Sequence, residues 1–175
     1  MWLLLSALLA LDGQGQAMLD PLREKILKPA ELIARLHLPP DAVIADVGAG
    51  PGFFVEHLAR AVPKGRVIAT DIRRDYLDHI EARRLRNVVT RLVPADDPSL
   101  PPVDVALLCQ VDQYLRDRAD YFSRLGRSLR PRGRIVLVNY AEHRAANLAA
   151  ASKAHLRVIE EWQPSAGFFM MVLSP

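Results

Sequence analysis

The chain has 175 residues, enough for one domain in which folding hides about 70% of the surface of the unfolded form. Half of the residues are hydrophobic and 25% are charged, the balance of an ordinary soluble protein. The 23 Lys+Arg against 20 Asp+Glu leave a net charge of +3, too small to argue for nucleic acid, and a single cysteine, Cys109, excludes an intrachain disulfide and a cysteine zinc cage.

Residues 1–17, MWLLLSALLALDGQGQA, hold an apolar run from Trp2 to Leu11. The run is shorter than the roughly 20 residues that span a bilayer, so no stable membrane span is expected. It has the length of a secretory leader, with Gly15 and Ala17 as small residues for cleavage, but no Lys or Arg precedes it. Export, a short helix packed on the domain, and an upstream start or tail all fit. Residues 1–18 are therefore set apart from a domain over 19–175, with a cytoplasmic location expected and export as the alternative.

From 20 to 38, Leu22, Ile26, Leu27, Leu32, Ile33 and Leu36 recur at spacings of three and four, which predicts an amphipathic helix or a pair broken at Pro29. Strand-like and helix-like segments then alternate. Strands are expected at 43–47, 66–72, 87–93, 103–109 and 133–140, and helices at 53–62, 75–84 and 115–129. The strands are continuous apolar runs rather than alternating ones, as in a parallel sheet covered on both faces. This is a doubly wound α/β pattern. A helix over 143–154 leads to runs at 156–163 and 168–173, joined by a short turn and expected to form an antiparallel hairpin at the sheet edge. Trp162 and Phe168 to Met171 are expected in the core of that hairpin. Arginines cluster at 82–86 and 124–134, where a solvated rim is the plain reading and anion docking the sharper one.

The stretch VIADVGAGPGFF, Val43 to Phe54, is the most informative. In open α/β sheets a ligand sits beyond the carboxyl ends of the strands, where the strand order reverses. Gly48, Gly50 and Gly52 follow Asp46 there, and glycine lets the backbone approach a ligand closely. The spacing is G-x-G-x-G, with Phe53 where a dinucleotide fingerprint expects its third glycine. A carboxylate at Asp46 repels a pyrophosphate and attracts a ligand with cationic groups. The second strand ends at Asp71, placed to accept hydrogen bonds from ribose hydroxyls, and Ile72 is placed to pack on an adenine face. Asp96 is placed to accept from the adenine amino group, with Asp97 second. The plainer alternatives are a tight turn for the glycines, capping or salt bridges for Asp46 and Asp71, and a helix cap before Pro98 for Asp96 and Asp97.

ADVGAGPG, ATDI, ADDPSLP and LRPRGRIVLV, in this order and spacing, resemble the motifs of class I S-adenosylmethionine-dependent methyltransferases over about Pro29 to Pro175. The resemblance implies a Rossmann-like seven-stranded sheet, mostly parallel with an antiparallel C-terminal strand, and S-adenosylmethionine as the cofactor. It implies that Gly48, Gly50 and Gly52, with Ala49 among them, line the methionine and ribose side, that Asp71 holds the ribose, and that Asp96 lies at the adenine.

Methyl transfer from a sulfonium mainly needs an aligned acceptor and excluded water. Cys109, Gln110, Asp112, Gln113 and Tyr114 follow the fourth strand near the loop mouth, Gln110 against the cofactor and Asp112 and Tyr114 as candidate catalytic groups. The closest likeness is to the ubiquinone-biosynthesis-like and arsenite-type small-molecule branch, in which this segment often ends in a histidine pair. Gln113 and Tyr114 stand there instead, and the several cysteines of an arsenic mechanism are missing. No Asn/Asp-Pro-Pro-Tyr motif of DNA amine methylation follows the strand. His37, His57, His79 and His155 read as surface or packing, no metal-ligand spacing occurs, and Tyr140 and His143 are placed to reach a substrate. A methyltransferase acting on a small-molecule acceptor is thus expected. A non-catalytic module of the same fold and a nucleotide-dependent oxidoreductase are the other readings.

Overall fold

The continuous apolar runs become the middle of a seven-stranded sheet. A computed structural model describes residues 11–175, so the apolar run lies outside the described residues except for Leu11. The strands are β1 (Val43–Val47), β2 (Arg66–Asp71), β3 (Val88–Leu92), β4 (Val103–Cys109), β5 (Leu129–Tyr140), β6 (Arg157–Trp162) and β7 (Phe168–Ser174). The described helices are α1 (Gly13–Met18), α2 (Leu22–Leu27), α3 (Pro29–Arg35), α4 (Val55–Ala61), α5 (Arg74–Glu81), α6 (Arg118–Arg127) and α7 (Arg144–Lys153). The sheet order is β3-β2-β1-β4-β5-β7-β6. Neighbours from β3 to β5 are parallel, and β7 runs antiparallel to both β5 and β6. The expected hairpin is present, with its second strand inserted between β5 and β6. The order reverses between β1 and β4, which opens a crevice at their carboxyl ends.

Successive residues of each central strand enter opposite cores, because side chains alternate across a sheet. Ala45, Ala106, Leu108, Ile135 and Leu137 meet Phe122 and Leu125 of α6 on one face. Ile44, Val105, Leu107, Val136 and Val138 meet Leu32, Phe54 and Leu58 on the other. Each buried Leu, Ile or Phe adds about 1.5 to 3 kcal/mol relative to exposure. Phe169, Met170 and Met171 are buried in these cores, while Trp162 and Phe168 are half-buried at their margin. Among the described residues no helix is long and apolar enough to cross a membrane.

Two boundaries move from where periodicity put them. A 3₁₀ turn, Asp112–Tyr114, precedes the segment expected as a helix over 115–129, which becomes helical only at Arg118, where the Asp117 carboxylate accepts the Asp120 amide at 3.0 Å. Strand β5 starts four residues before Gly133, since Leu129 pairs with Val103, and Arg132 takes a left-handed conformation (φ 68°) within a shifted register. In contrast, Pro29 breaks the N-terminal pair as expected. Its ring disfavours a helical residue before it, so Lys28 flips to φ 46° and Pro29 becomes the first residue of α3.

Candidate active site

Strand β1 stops at Val47 because the next residue takes a conformation that side chains resist. Gly48 has φ 65°, and a Cβ on it would lie 2.5 Å from Val111 Cγ2. Gly52 has φ 90°, and its Cβ would lie 2.7 Å from Ile80 Cγ1 of α5. Arg83, from the first arginine cluster, fixes the loop from behind by donating to the carbonyls of Gly52 (2.8 Å) and Pro51 (2.5 Å). Three of the loop amides are used within the protein. Ala49 N donates to Thr70 O (2.8 Å), Gly50 N to Asp71 Oδ2 (2.8 Å) and Gly52 N to Ala49 O (3.0 Å), and Pro51 has no N–H. A pyrophosphate needs such amides free. Here they are committed.

Above the loop lies a cavity of about 550 Å³, of the size that small ligands fill. On its β2 and β3 side stand Asp71, Ile72 and Asp96. Asp71 Oδ1 accepts the Arg73 amide at 2.9 Å, so each of its oxygens holds one backbone donor and keeps a lone pair for another. Burial raises its pKa against the lowering by those amides. Ile72 is 62% exposed, an apolar side chain offered to the cavity with little of its own packing. Asp96 is held left-handed (φ 58°), with its Oδ1 accepting the Arg116 amide at 2.9 Å and its carbonyl accepting Arg124 Nη2 at 2.7 Å.

On the β1 and β4 side the cavity is lined by Asp46, Cys109, Gln110, Phe53 and Arg23. Asp46 is 2% exposed and its Oδ2 has no hydrogen-bond partner among the described residues. Burial, with the neighbouring Asp71 charge, pushes its pKa up to about 7. Burial likewise pushes the Cys109 thiol up to about 12, so it is neutral and no nucleophile. Gln110 takes φ 57° at the strand end; its amide donates to Val138 O (2.8 Å) and its carbonyl accepts Gln113 Nε2 (2.9 Å). Met18 and Gln14 of α1 cover the cavity. Asp12 caps that helix by accepting the Gly15 amide at 2.7 Å, and it also pairs with Arg73 Nη1 at 2.7 Å and Tyr76 Oη at 3.2 Å.

The structure thus brings Asp46, Gly48, Ala49, Gly50, Asp71, Ile72, Asp96 and Gln110 to one cavity and leaves others out. Gly52 faces α5 instead. Asp97 turns away to accept the Ser99 amide (3.0 Å) and hydroxyl (2.6 Å). Asp112, expected near the acceptor, is fully buried beneath the cavity: it accepts from Arg118 Nε (3.1 Å), Asn139 Nδ2 (2.6 Å) and Asn147 Nδ2 (2.8 Å). It ties β4 to β5, α6 and α7, a task that spacing from the strand end did not reveal. Tyr114 stands at the rim, 77% exposed, and Tyr140 lines the cavity with its ring 4.7 Å from that of Phe168. His143 does not line it. Arg23 and the α1 residues were not anticipated, because nothing in their spacing ties them to a loop about 25 to 34 residues downstream.

A family model described as a methyltransferase domain matches residues 45–135, just over half of the chain. The chain belongs to that family. Trans-aconitate 2-methyltransferase of Methylobacterium nodulans is 31% identical to this methyltransferase domain over 168 residues, which cover 82% of the chain and 64% of the relative. An uncharacterised 37.1 kDa protein in transposon TN4556 of Streptomyces fradiae is 33% identical over 97 residues, 53% of the chain and 28% of that protein. The chain spans less than two thirds of both relatives. An S-adenosylmethionine-dependent methyltransferase from Aquifex aeolicus has the same fold, with a TM-score of 0.84 at 19% identity over 94% of this chain and 98% of that one.

Proposed function

We propose that this methyltransferase domain binds S-adenosylmethionine and transfers its methyl group to a small organic acceptor. One observation carries the reading: Asp46 and Asp71 face the same cavity while the amides of the glycine loop are already donated within the protein. That arrangement rejects a diphosphate and suits a nucleoside bearing positive charge. The residues present fit the cofactor. Asp71 keeps lone pairs for ribose hydroxyls, Ile72 offers an apolar face to a base, and the orphaned Oδ2 of Asp46 awaits a donor. Asp96 is proposed at the adenine amino group, and Gln110 beside the sulfur side of the cavity.

When bound, S-adenosylmethionine supplies a methyl group that a sulfonium has already activated. The protein has to hold the cofactor, keep water out and align the acceptor. Gly48 lets the loop pass close beneath the ligand, and α1 covers it from above. Tyr114 and Tyr140, at the ends of β4 and β5, are proposed to face the acceptor. A small acceptor is supported by the relative named for trans-aconitate.

Calorimetry tests the cofactor class: S-adenosylhomocysteine should bind and NADH should not. Tight NADH binding without a response to the thioether overturns the reading. A non-catalytic module is the second reading, since Asp112 is buried elsewhere and, among the described residues, no histidine or glutamate lines the cavity. Release of S-adenosylhomocysteine across carboxylic acids, phenols, thiols, amines and quinones separates the two. Binding of the thioether with silence across that panel selects the module.

A further inference from the structure

Two side-chain amides link the buried Asp112 to the wall of the cavity. Asn139, next to last in β5, is fully buried and does not itself line the cavity. Its Nδ2 donates to Asp112 Oδ1 and to Gln113 Oε1, both at 2.6 Å, and its Oδ1 accepts the Tyr140 amide at 2.7 Å. A carboxamide supplies two hydrogens on one atom and an acceptor on the other, and a backbone N–H can face only its oxygen, so the orientation of Asn139 is fixed. Gln113 must then turn Oε1 to Asn139, which leaves its Nε2 to donate to Gln110 O at 2.9 Å. Gln110 holds φ 57°, a left-handed conformation that a side chain resists, and its own amide is fixed separately on Val138 O. Gln110, Gln113 and Tyr140 line the cavity, whereas Asp112, Asn139 and Asn147 lie beneath it.

Resting on the transfer reading above, we propose that Asn139 is a positioning residue for the methyl acceptor: it converts the fixed place of Asp112 into a fixed place for Gln113 and Tyr140, and through Gln113 for the Gln110 carbonyl. Asn147 supplies the contrast. It is equally buried and donates to the same carboxylate, but its side chain otherwise reaches only His143 O, at 3.1 Å, which does not line the cavity. Asp112 Oδ2 takes Arg118 and Asn147 on the structural side, and Oδ1 takes Asn139 on the side of the cavity wall. The second hydrogen of Asn139 and its oxygen serve that wall. Without Asn139 the half-buried Gln113 is free to rotate and the Gln110 carbonyl loses a donor held in place. In-line transfer tolerates little of this, since a misplacement of about 1 Å costs about 100-fold in rate. Asn139 itself touches neither ligand nor the reacting atoms.

Steady-state kinetics with the full chain tests this, using whichever carboxylic acid, phenol, thiol, amine or quinone of the panel above the wild type turns over fastest. Asn139→Ala should lower kcat/KM for that acceptor by about 10- to 100-fold, the cost of misaligned reactants, while calorimetric affinity for S-adenosylhomocysteine stays unchanged. Gln113→Met, which cuts the same link from the cavity side, should show the same split. In the double variant Gln113→Met should add no further loss, because Gln113 is already released; residues acting independently would multiply their losses. Asn147→Ala should lower the melting temperature and leave kcat/KM at the wild-type value. Losses that multiply, an S-adenosylhomocysteine affinity that falls as far as kcat/KM, or an Asn147→Ala protein as impaired in transfer as Asn139→Ala overturns the positioning role and leaves the transfer reading in place. Wild-type silence across the whole panel overturns both. If Asn139→Ala does not fold, Gln113→Met decides: unchanged kcat/KM there overturns the role of Asn139.

Discussion

Binding of S-adenosylhomocysteine at pH 6 is expected to expel a proton from Asp46. The carboxyl is 2% exposed, one oxygen lacks a partner among the described residues, and burial with the nearby Asp71 charge lifts its pKa from an ordinary 3.8 to about 7. At pH 6 about nine tenths of the free protein then carries the proton. An ammonium set against that oxygen favours the carboxylate, and an opposite charge at this range lowers a carboxyl pKa by about 1 to 3 units. A fall of about 2 units releases about 0.8 proton on binding at pH 6 and about 0.1 at pH 8, and affinity rises roughly tenfold between them. Calorimetry in buffers of different ionisation enthalpy reads the proton count directly as the slope of observed heat against buffer heat. In Asp46→Asn the release should vanish. No buffer dependence in the wild type, or one that survives in Asp46→Asn, refutes the placement of the ammonium. The ligand-free protein gives an independent check. Below about pH 3 Asp46 is protonated whether folded or not and its burial costs little. As pH rises the unfolded chain ionises first, so this group's contribution to stability falls through pH 7, by on the order of 4 kcal/mol in all.

Asp71→Ala should weaken S-adenosylhomocysteine by roughly 1.5 to 3 kcal/mol, the value of hydrogen bonds to a charged group, and should free the Gly50 amide; unchanged affinity by calorimetry makes Asp71 a purely structural carboxylate. Asp112→Ala should cost about 3 to 5 kcal/mol in denaturant unfolding, because it strands Arg118, Asn139 and Asn147 together, whereas a residue serving only the acceptor would leave stability intact. Gly48→Ala should lower both stability and cofactor affinity through its clash with Val111 and its positive φ, and adding Val111→Ala should recover only the part due to the clash.

The sheet was legible because its strands are local and buried on both faces, so that apolar runs such as Val103 to Cys109 declare themselves without knowledge of their neighbours. The glycine loop and Asp71 were legible for a related reason: each stands at a strand end, and strand ends in this topology meet at one crevice. Helix starts were less so, since α6 waits for a cap at Asp117 that competes with any periodicity beginning at Leu115. Asp112 misled because a carboxylate just past a strand end faces either the crevice or the core. Asn139 and Asn147, 27 and 35 residues away, decide between them.

The two ends of the cavity are therefore specified by different kinds of information. The β2 end is built by short-range chemistry, with Asp71 at the end of β2 accepting the amide of Gly50 in the loop after the adjacent parallel strand β1. The other end pairs Asp46, inside that local frame, with Arg23, which arrives on a helix that β1 neither precedes nor predicts. Asp46 alone favours any cation. The left-handed break at Lys28 is what separates α2 from α3, and α2 is what sets a guanidinium on the same face of the sheet. The lining of that end is then a property of the helical cover, and a chain with the same glycine loop under a different cover is free to take a different ligand.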